Sequence, residues 1–192
     1  MIKVKVIVGS TRKGRFSEAV VPWIQQALDR QGDVATEVLD LRDYDMPFYE
    51  ESHSPATVEN GAYPNATVRV FAEKIKDGDA FLIITPEYNH GYSAVLKNAL
   101  DAVYAEWNKK PVGFVAYGSV GGGRAVEQLR QVVVELQMAP IRSAVHIQSP
   151  WSLRDESGTL KAGVLDMYES ALKGTIEQLV WWGNALNAAR TK

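Results

Sequence analysis

Five short runs of Val, Ile, Leu and Phe recur along the chain, at Ile2 to Val8, Val34 to Leu39, Ala80 to Ile84, Val112 to Tyr117 and Ile141 to Ile147. Between them lie stretches with helical spacing, such as Val20, Ile24, Ala27 and Leu28, and later Val126, Leu129, Val133 and Leu136. A strand that reads as a continuous apolar run is buried on both faces, and regular alternation of such strands with helices makes a parallel sheet covered on both sides. The spacing therefore predicts five βα units in a three-layer α/β arrangement. The last amphipathic run, about 164 to 188, reads as the closing helix.

At 192 residues with 46% hydrophobic and 23% charged side chains, the chain has enough apolar material for one domain over 1–192 and is not disordered. Zero Cys excludes disulfides, thiolate metal sites and a cysteine nucleophile. A net charge of −2 supplies no overall field for nucleic acid or an anionic membrane, so any anion needs a local site. No apolar run approaches the ~20 residues that span a bilayer. MIKVKVIVGS reads as a first strand and not as a signal peptide, which predicts a cytoplasmic protein. His53, His90 and His146 lack the spacing of a zinc site, so no metal is expected. His146 reads as a satisfied core or edge histidine.

In an open parallel sheet, ligands bind outside the carboxyl ends of the strands. The first such loop, Gly9 to Ser17, combines hydroxyls, two glycines and three cations at the start of a helix, as a phosphate requires. Ser17 is expected to cap that helix, with Pro22 a possible local distortion. The loop is neither a P-loop, since Gly14 is followed by Arg15 and not Lys, nor the dinucleotide fingerprint G-x-G-x-x-G. A monophosphate fits better. The second loop, Thr85 to Tyr92, sets a Pro, a Gly and two aromatics at a strand end, which suits a flat ring. The third, Gly118 to Arg124, offers unobstructed N–H groups that can hold a ring edge becoming negative on reduction.

Three stretches, GSTRKGR at 9–15, TPEYNHGYSAVLKNALD at 85–101 and KPVGFVAYGSVGGGRAVEQLR at 110–130, carry a family likeness. Through them the chain resembles the NADPH-dependent FMN reductases, a group that includes quinone, chromate and azo-dye reductases. The resemblance implies a flavodoxin-like α/β/α sandwich with strand order 2-1-3-4-5. It implies FMN as cofactor, NADPH or NADH as co-substrate, and ping-pong transfer to a quinone-type or other small acceptor. It places the FMN phosphate at Ser10, Arg12, Arg15, Phe16 and Ser17, the isoalloxazine along Pro86, Glu87, Tyr88 and Asn89, and Ser119 and Gly121 near the ring, with His90 bordering it. No side chain is expected to act as a catalytic acid or base. Arg124 or Lys13 is the candidate for a 2′-phosphate contact with NADPH.

The resemblance also implies a homodimer or homotetramer, which suits a lid or subunit-contact role for the long aromatic segment Leu41 to Pro64. Asp40, Asp43 and Asp45 are expected to be a solvated strand end, Lys97 and Asp101, near Asn98, an i, i+4 pair or a contact with a second subunit, and Trp181 and Trp182 one core and one interface residue. The competing readings are a flavodoxin-like electron carrier, a phosphate-sensing module without flavin, and a reductase that releases FMN as a substrate.

Overall fold

The computed structural model describes residues 1–191. Five parallel strands, β1 Ile2–Val8, β2 Val34–Asp40, β3 Ala80–Pro86, β4 Pro111–Gly118 and β5 Ala139–Gln148, form one sheet in the order β2-β1-β3-β4-β5. The helices are α1 Ser17–Asp29, α2 Ala66–Asp77, α3 Ala94–Ala102, α4 Gly123–Glu135 and α5 Glu169–Arg190. Alternation along each strand sorts the apolar side chains into two layers. Val6, Val8, Leu82, Ile84, Val115 and Val145 pack against α1 and α5 through Val20, Ile24, Leu172, Ile176 and Leu179. Ile7, Phe81, Ile83, Val112 and Phe114 face α2, α3 and α4 through Phe71, Ile75, Leu96, Leu100, Leu129 and Val133. The sandwich has the predicted three layers and strand order, and every strand-to-helix loop lies at one edge of the sheet.

Several local expectations are corrected. The closing helix begins at Glu169, not at 164, because Gly163 at φ +70° turns the chain and a short 3₁₀ turn over Asp166–Tyr168 precedes it. Trp181 and Trp182 are both exposed, at 64% and 38%, and lie edge to face with centroids 5.4 Å apart. The buried stripe of α5 runs Leu172, Ile176, Leu179, Gly183, so at 3.6 residues per turn neither Trp falls on it. Ser17 does not cap α1. It is the first helical residue, the cap position is Phe16 with helical backbone angles, and no side chain takes up the helix's free N–H groups there. The helix passes through Pro22 unbroken.

The 41–65 connection holds two short 3₁₀ turns and is tied to the domain at both ends. Asn98 donates to the carbonyls of Met46 and Pro47 at 3.0 and 3.1 Å, so this residue binds its own chain's loop. Lys97 pairs with Asp101 at 2.6 Å along α3. At the other end Tyr63 is buried and donates to Glu106 at 2.6 Å. Among the described residues, no helix is long and apolar enough to cross a membrane.

Candidate functional site: a cleft at the carboxyl edge of the sheet

The loops after β1, β3, β4 and β5 converge on a cleft of about 480 Å³, within the usual size range of cofactor sites. Arg12, Arg15, Phe16, Pro86, Glu87 and Tyr88 line it, joined by Tyr117 and Gly118 of β4 and by Trp151 and Arg154 from beyond β5.

At one end lies the loop from Ser10 to Phe16. Its main chain divides sharply. Among the described residues, the N–H groups of Ser10, Thr11, Arg12, Lys13, Gly14 and Phe16 donate to no protein acceptor. Unpaired N–H groups ahead of an uncapped helix are a ready anion site. Ser17 Oγ is buried there without a hydrogen-bond partner, as is the Tyr117 hydroxyl. A buried hydroxyl left unpaired costs free energy unless a ligand completes it. Burial pushes the Tyr117 phenol up, against the smaller opposing influence of Ser17 and Ser10 beside it, so it stays a neutral donor. The Ser10 hydroxyl lies 2.9 Å from that of Tyr88, and the Arg12 guanidinium sits 5.5 Å from the Tyr88 ring centre, exposed at the cleft mouth.

Arg15 is placed differently from the other cations. It is buried at 7% exposure and its guanidinium forks onto both carboxylate oxygens of Asp40, at 2.7 Å on one side. The hydrogen bond to Asp40 holds the guanidinium firmly in its charged form, raising an already high pKa. Burial would raise the Asp40 carboxyl, but the Arg15 bonds and the Arg42 N–H outweigh it and hold the group below the ordinary carboxylate range. Asp40 is thus a paired anchor and not the solvated residue expected from the sequence.

At the other end, the β3 and β4 loops are locked together. Glu87 N–H donates to the Tyr117 carbonyl at 2.8 Å. The Glu87 carboxylate, with only 4% of its side chain exposed, accepts from Arg124 Nη1 at 2.7 Å and from the Arg124 main-chain N–H at 3.1 Å. That N–H lies in the first turn of α4, where a carboxylate is favoured. Arg124 is therefore engaged with Glu87. Asn89 and His90 both adopt positive φ, at 49° and 70°, and are exposed. Gly121 is buried and its carbonyl meets His146 Nδ1 at 3.0 Å, which satisfies that edge-strand histidine. Ser119 is exposed. Gly122 has to be glycine: at φ +74° an added Cβ would stand 2.6 Å from Ala116 Cβ.

The structure thus gathers Arg12, Arg15, Phe16, Pro86, Glu87 and Tyr88 around one cleft, with the buried hydroxyls of Ser10 and Ser17 in the same loop region. Asn89, His90, Ser119 and Gly121 do not line this cleft. Sequence reasoning missed Tyr117, Trp151 and Arg154. The signal was present, since PWSLRD at 150–155 lies just past the carboxyl end of the fifth strand, in a loop of the same kind as the other three. Among the described residues no three His, Asp or Glu side chains gather as a metal site.

Comparison with solved structures defines the fold class. The flavoenzyme NAD(P)H:(acceptor) oxidoreductase of Paracoccus denitrificans superposes with a TM-score of 0.74 at 23% identity, covering 96% of this chain and 98% of that one. A flavodoxin variant from Pseudomonas aeruginosa matches at 0.56 and 17% identity, covering 93% and 99%. The architecture is that of the flavodoxin-like proteins. Residues 2–152 match the model of the NADPH-dependent FMN reductase family, and the chain belongs to that family. An NAD(P)H-dependent FMN reductase of Schizosaccharomyces pombe is 35% identical over 145 residues, 74% of this chain and 72% of that protein. A quinone reductase of Pseudomonas putida is 31% identical over 187 residues, 93% of each. The protein is accordingly a flavin-dependent oxidoreductase.

Proposed function

We propose that the cleft holds FMN with its phosphate at the Ser10–Ser17 loop and its ring system toward Pro86, Glu87, Tyr88 and Gly118. NADPH or NADH is then the donor, and a quinone-type or other small molecule the acceptor, in ping-pong alternation. The observation that carries this reading is the pairing, within one cleft, of a loop rich in unpaired N–H groups with an aromatic wall. The loop and the buried Ser17 hydroxyl are complementary to a phosphate dianion, and Tyr88, Tyr117, Phe16 and Trp151 to a flat hydrophobic group.

When bound, the flavin supplies the hydride chemistry, accepting from a nicotinamide and giving to the acceptor. The chain's own part is binding, orientation and electrostatics. Ser10, Ser17 and the loop N–H groups donate hydrogen bonds to the phosphate, and Arg12 supplies countercharge. The Glu87–Arg124 link fixes the distance between the β3 and β4 loops, so the ring's seat is rigid before the ligand arrives. The open mouth beside Arg12 and Trp151, both exposed, leaves room for donor and acceptor in turn. We further read the protein as a homodimer or homotetramer, in keeping with Phe48, which is 78% exposed on the 41–65 connection.

Protein purified with added FMN should carry flavin absorbance and oxidise NADPH or NADH when a benzoquinone is supplied, with parallel double-reciprocal lines. Protein that stays colourless and fails to bind FMN in a titration overturns the reading. Intersecting lines overturn the ping-pong order, and a monomer mass by light scattering overturns the assembly.

A further inference from the structure

Three arginines from three parts of the chain converge on the carbonyl oxygens of the Ser10–Arg15 loop. Arg15 Nη1 donates to the Ser10 carbonyl. Arg42, just past β2, donates to the carbonyls of Thr11 at 3.3 Å and of Arg12. Arg154, past β5, donates to those of Gly14 and Arg15, each at 3.1 Å, and lies 5.4 Å from the Phe16 ring centre. Five of the loop's six carbonyls from Ser10 to Arg15 are thus held by guanidinium groups, which only donate.

We propose that Arg15, Arg42 and Arg154 are positioning residues for the phosphate. They keep the loop's carbonyl dipoles engaged so that its N–H groups remain the free ends, and so set how strongly the site distinguishes a phosphorylated ligand from an unphosphorylated one. This rests on the FMN reading above and adds to it the residues that govern phosphate affinity.

A loop of this length can present either end of its peptide dipoles to an anion, and an unengaged carbonyl aimed at a phosphate repels it. Guanidinium bonds to the carbonyls remove that alternative and add positive charge close behind the N–H groups. The three differ in how much charge is left over. Arg15 is neutralised by Asp40 and also lies 3.4 Å from Glu18. Arg42 is paired with Glu18. Arg154 has no carboxylate partner among the described residues, and its Nε is buried without an acceptor. Arg154 therefore carries the largest uncompensated influence, and it lies two residues beyond the stretch that matches the family model.

The test compares FMN with riboflavin, which is the same ring without the phosphate. Dissociation constants for both are measured by flavin fluorescence on the intact wild-type protein, Arg154→Ala, Arg154→Lys and Arg42→Ala, with melting temperature as a folding control. The riboflavin-to-FMN ratio of dissociation constants should fall roughly tenfold in Arg154→Ala and about threefold in Arg42→Ala, with Arg154→Lys between wild type and Arg154→Ala. Riboflavin affinity itself should move less than about twofold.

A residue that merely supports the fold would weaken both ligands together, so parallel losses, or an unchanged ratio in Arg154→Ala, overturn the proposal. If Arg154→Ala does not fold, an unchanged ratio in both Arg154→Lys and Arg42→Ala overturns it equally. A wild-type protein that binds neither flavin contradicts the FMN reading itself and is thereby distinguished from a failure of the arginine proposal.

Discussion

The two ends of the cleft are built on different principles. The phosphate end is a loop held largely from outside, by Arg42 and Arg154, which reach its carbonyls across 30 to 140 residues of sequence, while its own Arg15 is anchored on Asp40. The ring end is shaped from within, by positive φ at Asn89, His90, Gly121 and Gly122 and by one Glu87–Arg124 link between adjacent loops. Charge governs the first and backbone geometry the second. Charge substitutions at the phosphate end should therefore cost affinity for the phosphorylated ligand alone, and disturbing the loop geometry at the ring end should cost stability or affinity for any flavin.

The largest effect is expected at the ring end. Gly122→Ala places a Cβ against Ala116 and the Tyr117 N–H at a positive φ, which should cost about 3 kcal/mol or more of stability by urea unfolding. A stable variant with unchanged flavin affinity would break the claim that geometry rules there. At the phosphate end, Arg12→Ala should weaken FMN by about 2 kcal/mol, roughly thirtyfold, while riboflavin binding is nearly unaffected. Equal weakening of the two ligands would place Arg12 with the ring instead.

Glu87→Gln should do the converse. Removing the charge of Glu87, whose side chain is almost fully covered while its partner Arg124 is 41% exposed, should cost about 1 kcal/mol of stability and weaken FMN and riboflavin in parallel. The smallest effect concerns pH. The Asp40 carboxyl is held below its ordinary value of 3.8 in the folded state, so the stability it contributes is present above that pH and lost as pH falls through the folded value. The melting-temperature gap between wild type and Asp40→Asn should accordingly be widest near neutrality and close below about pH 4. A gap that persists into acid would mean Asp40 supports the loop by shape rather than charge.

The fold was legible because its signal is periodic and local. Runs such as Phe81 to Ile84 are buried on both faces, and α4 shows its stripe at Val126, Leu129 and Val133. The loops of the site were legible for the same reason, since topology fixes which ends of the strands face the ligand. Their internal wiring was not. Nothing near Arg15 in sequence marks Asp40 as its partner, and nothing near Gly14 marks Arg154, because both contacts exist only once β2 and β5 have taken their places on either side of the first loop. Ser17 looked like a cap by residue type, yet the chain enters the helix one residue early and leaves its hydroxyl free. The tryptophans at 181 and 182 were expected to divide between core and interface because adjacent helical positions point different ways, but the buried stripe passes through Leu179 and Gly183 and leaves both outside the core.

The central claim, that the loop after the first strand seizes the phosphate of FMN, is tested most directly by phosphorus NMR of the flavin-loaded protein across pH. Free FMN titrates as an ordinary phosphate monoester with a pKa near about 6. The account predicts a bound resonance displaced from the free one and unchanged from pH 5 to pH 8, because a desolvated dianion surrounded by donors does not protonate in that range. A bound resonance that follows the free titration curve would show the phosphate in water, away from the loop, and would contradict the account.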